Sequence, residues 1–495
     1  MVEQVRDSSK LSLATKAIYG TGQFVDSVSG TALATFLFFY LTAVCGLSGS
    51  LTGTSLFLAL MVDAFVDPFV GSISDNTQSR WGRRHLFMIA SFLPMFVGLG
   101  MLFSVPPGLS HWVLFIYVTG MALVLRIGLS AFIVPYFALG AELSDDYLER
   151  SRIVAWRSFF SVPATLVPII LGYSVFLGGK AGLFNRAAYV PFGWTCGVIL
   201  CLFGAIATFG TLPALGRLHR TVVSTDHPLR RLAGEIGEVV RNKSFLILFF
   251  VVLLFFVAQG TAATLTLHGG KFFWQLPVST IQLITIVLTL GLVTGIPLVA
   301  LLGPHVEKKT MVIWSLAYIC VIQAGLPLLR IAGLLPPNGP TLTTILVGRE
   351  LFSGIAVTFL AIGFQSMMAD AADEHELMFG ARREGLYFSG ITFSAKAASG
   401  LGSFIAGFAL DAINFPVDIA NKGGENIHLT QATVNGLGLV YGVGPALITA
   451  IGIVLTIFYK IDRRAHAKIQ TELVARRALA APLLAETIAT LDAQP

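Results

Sequence analysis

Twelve long apolar segments run through this chain of 495 residues, and they constrain its fold more than any other feature. Each is about 20 residues or longer, the length that an α-helix needs to cross a bilayer. They lack the alternation of apolar and polar residues that a membrane β-strand has, so the sequence predicts an all-α integral membrane protein. The segments lie near residues 14–45, 52–75, 85–106, 112–141, 152–177, 189–213, 243–267, 277–303, 311–335, 341–371, 385–413 and 434–460.

The basic residues predict how the segments are oriented. Cytoplasmic loops of membrane proteins carry an excess of Lys and Arg. With both termini in the cytoplasm, 25 of the 33 Lys and Arg residues fall on the cytoplasmic side. We therefore expect a multi-pass protein of the plasma membrane, in a bacterium the inner membrane, with both termini cytoplasmic. The net charge of +6 reflects this bias, and no nucleic-acid partner is expected.

The longest polar interruption divides six segments from six. We expect an N-terminal half (1–213), a cytoplasmic linker (214–242) with an amphipathic helix that begins near Pro228, a C-terminal half (243–464) and a cytoplasmic tail (465–495). Two related six-helix halves with a site between them are typical of secondary transporters. No function is assigned to the tail.

Two aspartates occupy the second apolar segment, where ionisable residues are rare. Asp63 and Asp67 are four residues apart, so on a helix they lie on one face, one turn apart. Both fall near the middle of the membrane, where a carboxylate costs about 2.5 kcal/mol or more. Two such acids need a counter-charge or a shared cation, which indicates a site for a proton or sodium. Two structural carboxylates neutralised by a base on another helix are the alternative.

Three more ionisable residues reach the same depth: Asp26 in the first segment, Arg126 in the fourth and Lys396 in the eleventh. They come from both halves, as a site that opens alternately to either side requires. We expect these residues to bind solute or to couple it to the cation. The rival class is a membrane-embedded enzyme, which would need a catalytic set or metal-ligand spacing, and the sequence contains neither HExxH nor GxSxG.

A second group of charged residues lies at the cytoplasmic ends of the segments. They are expected either to form ion pairs that close the cytoplasmic side or to serve only as solvated topology signals. These gate candidates are Asp75, Arg80, Arg83, Arg84, Asp370, Asp373, Arg382 and Arg383. A metal site at Asp370, Asp373, Glu374, His375 and Glu376 is a further alternative, less favoured than acids that meet neighbouring arginines.

Three stretches of the chain resemble one family. The stretches are VDAFVDPFVGSISDNTQSRWGRR (62–84), VPYFALGAELSDDYLERSRIVAWRSFF (134–160) and ADAADEHELMFGARREGLYFSGITFSAKAA (369–398). They are similar to the second segment, the 4–5 junction and the 10–11 junction of the glycoside–pentoside–hexuronide:cation symporters, the melibiose-permease branch of the major facilitator superfamily. The resemblance implies the major facilitator fold and cation-coupled symport of a sugar-like solute.

Carried over position by position, the resemblance also implies roles for single residues. Asp63, Asp67 and Ser130 would form the coupling-cation site, and Lys396 would lie between cation and sugar. Arg157 would contact the sugar, and Phe137 stands where melibiose permease stacks a tryptophan on it. The candidate solute-binding residues are thus Asp26, Arg126, Phe137, Arg157 and Lys396.

This sequence departs from the family pattern at positions that bear on specificity. Val66 replaces an asparagine linked to sodium recognition, which favours a proton as the coupling ion. Ile133 replaces a sugar-binding aspartate, and Asp26 lies one position from the family's first-segment aspartate. Losing an acid while keeping Arg126 and Lys396 suggests an anionic solute such as a uronide. A lysophospholipid or another amphiphile is the alternative solute. No metal or other cofactor is expected, and the predicted partners are the solute, the cation and membrane lipids, with the protein a monomer.

Overall fold

The structure is a computed structural model that describes residues 11–77, 79, 81–144, 146–179, 182–213, 237–380, 384–424 and 427–492. The gate candidates Arg80, Arg382 and Arg383 lie outside the described residues, as do positions 214–236 of the predicted linker. Positions 237–241, at the end of that linker, are helical.

In the part of the chain that the structure describes, eleven helices are long and apolar enough to cross a membrane, one of them with a short break at Ser91. We number them α2 to α12, and α13 follows them. They are α2 (Gly49–Asn76), α3 (Arg83–Leu102), α4 (His111–Glu142), α5 (Leu148–Phe176), α6 (Arg186–Thr211), α7 (Lys243–Phe273), α8 (Val278–His305), α9 (Lys308–Ile331), α10 (Pro340–Phe379), α11 (Glu384–Ala412), α12 (Gln431–Ile457) and α13 (Arg463–Asp492).

The first predicted segment forms α1, which is built from shorter pieces: Leu13–Thr21, Gln23–Ala32 and two π-helical turns, Leu33–Leu37 and Tyr40–Val44. The break falls at Gly22, where a side chain would collide with a neighbouring helix: a Cβ there would lie 2.5 Å from the ring of Tyr136. With α1 counted, the described chain contains all twelve predicted spans.

Some of the helices begin at a residue whose side chain caps them. Ser48 caps α2, Asn242 caps α7 and Thr430 caps α12, each through a hydrogen bond to a backbone N–H of the first turn. At the other end of α10, Gly380 takes the left-handed conformation that closes many helices. Local signals therefore mark these helix ends.

The two halves meet most extensively along α2 and α11. Small residues permit this close approach. A Cβ on Gly407 would lie 2.1 Å from the carbonyl oxygen of Gly49, and one on Gly53 would lie 2.6 Å from the carbonyl oxygen of Ser403. Glycine and serine allow two backbones to pack within a membrane in this way. The α2–α11 contact brings carboxylates of one half beside the lysine of the other.

Further contacts between the halves gather on one side, which we call the far side because α6 ends and α7 begins on the opposite, linker side. Thr42 Oγ1 lies 3.0 Å from His268 Nε2. The Asp411 carboxylate accepts the backbone N–H groups of Gly49 and Ser50, at 2.9 and 2.8 Å. These contacts join α1 to α7 and α2 to α11, and they close the far side.

On the linker side, α13 packs against the C-terminal half. Gln470 Nε2 donates to Asp373 Oδ2 at 2.7 Å, and Arg476 donates to the carbonyl of Leu377 at 2.7 Å. Ile469 and Leu473 of α13 are buried in the apolar core of that half. The beginning of the predicted tail is therefore a helix docked on the end of α10.

Candidate functional site

Lys396 joins the two aspartates of the second span. Its Nζ lies 3.0 Å from Asp63 Oδ2 and also bonds Asp67 Oδ2. The acids project from one face of α2 and the ammonium from α11, so the contact joins the N-terminal to the C-terminal half. Asp63 is 14 residues along the 28 residues of α2, at the middle of the span. We call these three residues the carboxylate–lysine cluster.

The two carboxylates of the cluster differ in how fully they are bonded. Asp63 is 3% exposed, accepts a hydrogen bond from Ser130 Oγ at 2.8 Å and lies 4.0 Å from Arg126 Nη1. Asp67 Oδ1 is buried and finds no hydrogen-bond partner among the described residues. Because a buried carboxylate oxygen without a partner is costly, Asp67 is the member with capacity for another ligand.

Pro68 follows Asp67 inside the helix and leaves one backbone carbonyl without its helical partner. The sequence analysis did not predict this polar group. A proline has no N–H and cannot complete the helical hydrogen bond to the carbonyl four residues earlier. That carbonyl belongs to Ala64, which lies between the two aspartates in the chain. The proline at position 68 is the sequence signal that could have indicated this carbonyl.

The remaining solute-binding candidates lie on α1, α4 and α5. Asp26 accepts a hydrogen bond from Gln23 Nε2 at 2.9 Å and interacts electrostatically with Lys396, Arg126 and Arg157. The Arg157 guanidinium lies over the ring of Phe137, with Cζ 4.3 Å from the centroid, a cation–π contact. The fold therefore brings all the predicted solute and cation residues into one region.

Two tyrosines beside this region were not predicted. Tyr19 and Tyr136 stack with centroids 4.6 Å apart, and each hydroxyl donates to the backbone carbonyl of the other residue, at 3.0 and 2.9 Å. This reciprocal pair fixes α1 to α4 close to Asp26 and Phe137. Tyr136 precedes Phe137 in the stretch 134–160, but nothing in the sequence around it indicates a contact with α1.

The charges of the region balance. Three acids (Asp26, Asp63 and Asp67) and three bases (Arg126, Arg157 and Lys396) face one another inside the membrane. A buried charge is tolerated when it is paired and hydrogen-bonded. These six residues therefore carry no net charge. The loss of an acid at Ile133 had suggested an excess of positive charge, which this count does not contain.

The described gate candidates pair within their own halves. Arg84 bonds Asp75 and lies 2.8 Å from Glu142, and Arg83 lies 2.9 Å from the same Glu142 oxygen. Glu142, at the end of α4, was not a candidate, although it belongs to the acidic stretch that ends the fourth segment. In the C-terminal half, Lys308 Nζ contacts Asp370 at 2.7 Å.

The alternative metal site at the end of α10 is not assembled. Asp370 is held by Lys308, and Asp373 accepts from Gln470, with His466 Nε2 3.2 Å away. His375 is buried against the rings of Phe379 and Tyr387. Within the described part of the chain, no group of three or more His, Cys, Asp and Glu side chains could hold a metal ion.

Comparison with known proteins finds similarity along most of the chain. The model of the family described as MFS/sugar transport protein matches residues 18–463. The isoprimeverose transporter of Lactiplantibacillus pentosus is 25% identical, over 90% of this chain and 88% of that protein. The glucuronide carrier protein homolog of Escherichia coli (strain K12) is 23% identical, over 97% and 99%. The sodium-dependent lysophosphatidylcholine symporter 1-A of Danio rerio is 24% identical, over 94% and 89%.

A search of solved structures gives the same fold at low sequence identity. The crystal structure of nucleoside transporter NupG superposes with a TM-score of 0.59 at 16% identity, covering 91% of this chain and all of that one. At this identity the likeness bears on the fold alone.

Proposed function

The chain belongs to the MFS/sugar transport protein family, and on that premise we propose that it is a secondary active transporter that couples a sugar-like solute to a cation. The relatives include proteins named as an isoprimeverose transporter and a glucuronide carrier homolog. We place the protein in the plasma membrane with both termini cytoplasmic, so that the linker side faces the cytoplasm. The basic-residue bias supports this orientation. We expect import rather than export by analogy with this family.

One observation carries the proposal: an ammonium of one half neutralises two mid-membrane carboxylates of the other. When a cation binds the carboxylates, Lys396 is no longer needed for charge balance and is released toward the solute. When the cation leaves, the ammonium returns and keeps the buried acids compensated. Cation occupancy is thereby linked to the contact between the halves, which must change in alternating access.

We propose a proton as the coupling ion. Protonation of Asp67, whose Oδ1 lacks a partner, neutralises that carboxylate without any further ligand. A metal cation would need several oxygen ligands around it, and Val66 offers no side-chain oxygen beside the two acids. The sodium alternative would draw on Ser130 and on the carbonyl of Ala64.

We propose that the gate candidates act in the opposite conformation. The far side is closed by contacts between the halves, whereas Arg83, Arg84, Asp75 and Asp370 are paired within halves. When the linker side closes, these charged ends approach one another and can exchange partners across the two halves.

Asp67→Asn tests the function directly. An amide of nearly the same shape should mimic the permanently protonated state. Proteoliposomes carrying the variant should lose cation-driven accumulation of isoprimeverose by at least about tenfold, whereas exchange of labelled for unlabelled solute should persist, because exchange does not require the cation to leave. Uptake and exchange are measured side by side in the same vesicles.

Asp462→Asn is the matched control. Asp462 is exposed at the start of α13, where its carboxylate accepts the N–H of Ala465 at 2.7 Å, and asparagine caps a helix equally well. It should keep wild-type accumulation. Full cation-driven accumulation by both Asp67→Asn and Asp63→Asn would return the two aspartates to a structural role.

The amphiphile alternative is tested in the same vesicles. The Danio rerio relative is named as a lysophosphatidylcholine symporter, and its identity to this chain is similar to that of the sugar carriers. Cation-driven uptake of lysophosphatidylcholine without uptake of any glycoside would favour that function over ours.

A further inference from the structure

The Tyr19 hydroxyl links α1 to two other helices. It donates to the backbone carbonyl of Tyr136 on α4 at 3.0 Å, and it is hydrogen-bonded to the guanidinium of Arg157 on α5. A hydroxyl has one proton to donate and lone pairs with which to accept, whereas a guanidinium can only donate. Tyr19 therefore gives its proton to the carbonyl of Tyr136 and accepts from Arg157.

Close packing of three helices fixes the Tyr19 hydroxyl in this position. Gly140 of α4 leaves room for it, because a Cβ on this glycine would overlap the hydroxyl oxygen. On the other side, a Cβ on Gly20 would lie 3.0 Å from the carbonyl oxygen of Trp156, the residue before Arg157. The backbone of α1 therefore lies against α5 beside Arg157.

Arg157 is held by neutral groups. Its guanidinium lies over the ring of Phe137 and donates to the oxygen of Tyr19. In the part of the chain that the structure describes, no carboxylate forms an ion pair with it, although Asp26 interacts with it electrostatically. The described gate arginines, by contrast, are paired with carboxylates. An aromatic ring and a hydroxyl orient a guanidinium without cancelling its charge, so the charge of Arg157 remains available to another ligand.

The Arg157–Phe137 contact is accessible, whereas the tyrosine behind it is not. Phe137 is 40% exposed and Arg157 is half-buried, but Tyr19 is only 1% exposed. Phe137 is seven residues after Ser130, about two turns along the same face of α4, so it lies on the side of the carboxylate–lysine cluster. A solute near the cluster can reach Arg157 and Phe137 without touching Tyr19.

We propose that Tyr19 is a positioning residue for solute binding. Its hydroxyl oxygen holds the Arg157 guanidinium on the ring of Phe137 and apart from Asp26, so that both charged side chains remain free to bind the solute. This inference rests on the proposed function and adds a residue that acts only through Arg157. Without the hydroxyl, Asp26 attracts the guanidinium, and the two charges are lost to each other.

Tyr19→Phe tests the role because it removes the acceptor and keeps the stacked ring. In proteoliposomes, the KM for exchange of labelled for unlabelled isoprimeverose should rise about three- to tenfold, as expected for the loss of one hydrogen bond. The maximal exchange rate should stay the same, because the change affects solute binding. Exchange is the appropriate assay because it does not require the cation to leave.

Tyr136→Phe is the matched control. It deletes the same group from the other member of the stacked pair, where the hydroxyl donates to the backbone carbonyl of Tyr19 at 2.9 Å. Among the described residues, the hydrogen-bond partners of Tyr136 do not include Arg157. The melting temperature should fall in both variants, since each loses a buried hydrogen bond to a carbonyl, but the KM of Tyr136→Phe should remain that of the wild type.

A second measurement needs no solute. Tyr19→Phe, Arg157→Gln and the double variant form a double-mutant cycle of melting temperatures in one detergent. The loss in the double variant should be smaller than the sum of the two single losses, because both changes delete the same bond. The corresponding cycle of Tyr136→Phe with Arg157→Gln should be additive.

The outcomes separate the positioning role from the function. An unaltered KM in Tyr19→Phe, while the wild type exchanges isoprimeverose, would overturn the role and leave the proposed function intact. An equal rise of KM in Tyr19→Phe and Tyr136→Phe, or additive losses in the Tyr19 cycle, would reduce the tyrosine pair to a brace between α1 and α4 and overturn the role as well. Failure of the wild type to exchange any glycoside would overturn the proposed function and the positioning role together.

Discussion

Lys396 is the residue on which charge compensation between the halves depends. It is the basic partner shared by both aspartates of α2, and it comes from a helix more than 300 residues away in the chain. Arg126, at 4.0 Å, reaches only Asp63. Asp67 therefore relies on the lysine for its counter-charge. Removing both charges together should be tolerated better than removing either one alone.

We predict that Lys396→Ala destabilises the protein and that adding Asp67→Asn rescues it. The single change leaves Asp67 uncompensated inside the membrane. Removing one partner of a fully buried ion pair costs about 3–5 kcal/mol, and the loss here should be smaller because the Lys396 and Asp67 side chains are 32% and 24% exposed. The double change removes both charges, so its melting temperature should recover most of the loss. Thermal unfolding of the four proteins in one detergent forms a double-mutant cycle. Additive losses in the double variant would show that the pair is not coupled.

Among the elements, α13 is the one whose role the sequence left open. It does not contribute to the carboxylate–lysine cluster, and it braces the linker-side end of α10 through Gln470 and Arg476. Burial of Ile469 and Leu473 adds an apolar contact to these hydrogen bonds. We therefore interpret the first turns of α13 as a structural part of the C-terminal half.

Leu473→Ala should release α13 from the C-terminal half. Deleting a buried leucine side chain costs about 2–5 kcal/mol, which is large relative to the docking of one helix through a few contacts. Backbone amides of residues 463–476 should then exchange with deuterium at least about tenfold faster. Val474→Ala is the matched control, because the neighbouring side chain is 61% exposed. Equal protection in both variants would show that the apolar contact does not hold the helix.

At the scale of the whole molecule, the structure is closed on the far side. Asp411 of the C-terminal half caps the first turn of α2 in the N-terminal half, and Thr42 meets His268 nearby. An N-terminal cap normally stabilises one helix within one domain. Here Ser48 caps α2 through the N–H of Leu51, whereas the N–H groups of Gly49 and Ser50 bond to Asp411 of the other half, so these two groups keep their partner only while the far side is closed.

Asp411→Ala should shift the population toward a form open on the far side. Loss of an N-cap costs about 0.5–2 kcal/mol, which corresponds to a population change of roughly two- to thirtyfold. A cysteine placed at Thr35, in a variant whose four native cysteines are serine, should react faster with an impermeant maleimide added on the far side. Thr430→Ala removes a cap within the C-terminal half and should leave the rate unchanged. An equal rate in Asp411→Ala would show that the cap does not hold the closure.

The sequence by itself determined the features that depend on local order. Apolar length predicted the spans, because a backbone in hydrocarbon must satisfy its hydrogen bonds within the helix. The spacing of Asp63 and Asp67 put both on one face, because the helical repeat is about 3.6 residues. The broken courses of α1 and α3 departed from this pattern. At the break in α1, a side chain on Gly22 would collide with the ring of Tyr136 on another helix.

The tertiary structure decided which residues meet across the chain. Lys396 could have faced any acid at its depth; close α2–α11 packing through Gly49, Gly53 and Gly407 assigned it to Asp63 and Asp67. The same holds for Tyr19 and Arg157, which look unrelated in sequence and meet beside Phe137. Such pairings depend on how the helices pack and on which side is closed, and neither is encoded in the spacing of neighbouring residues.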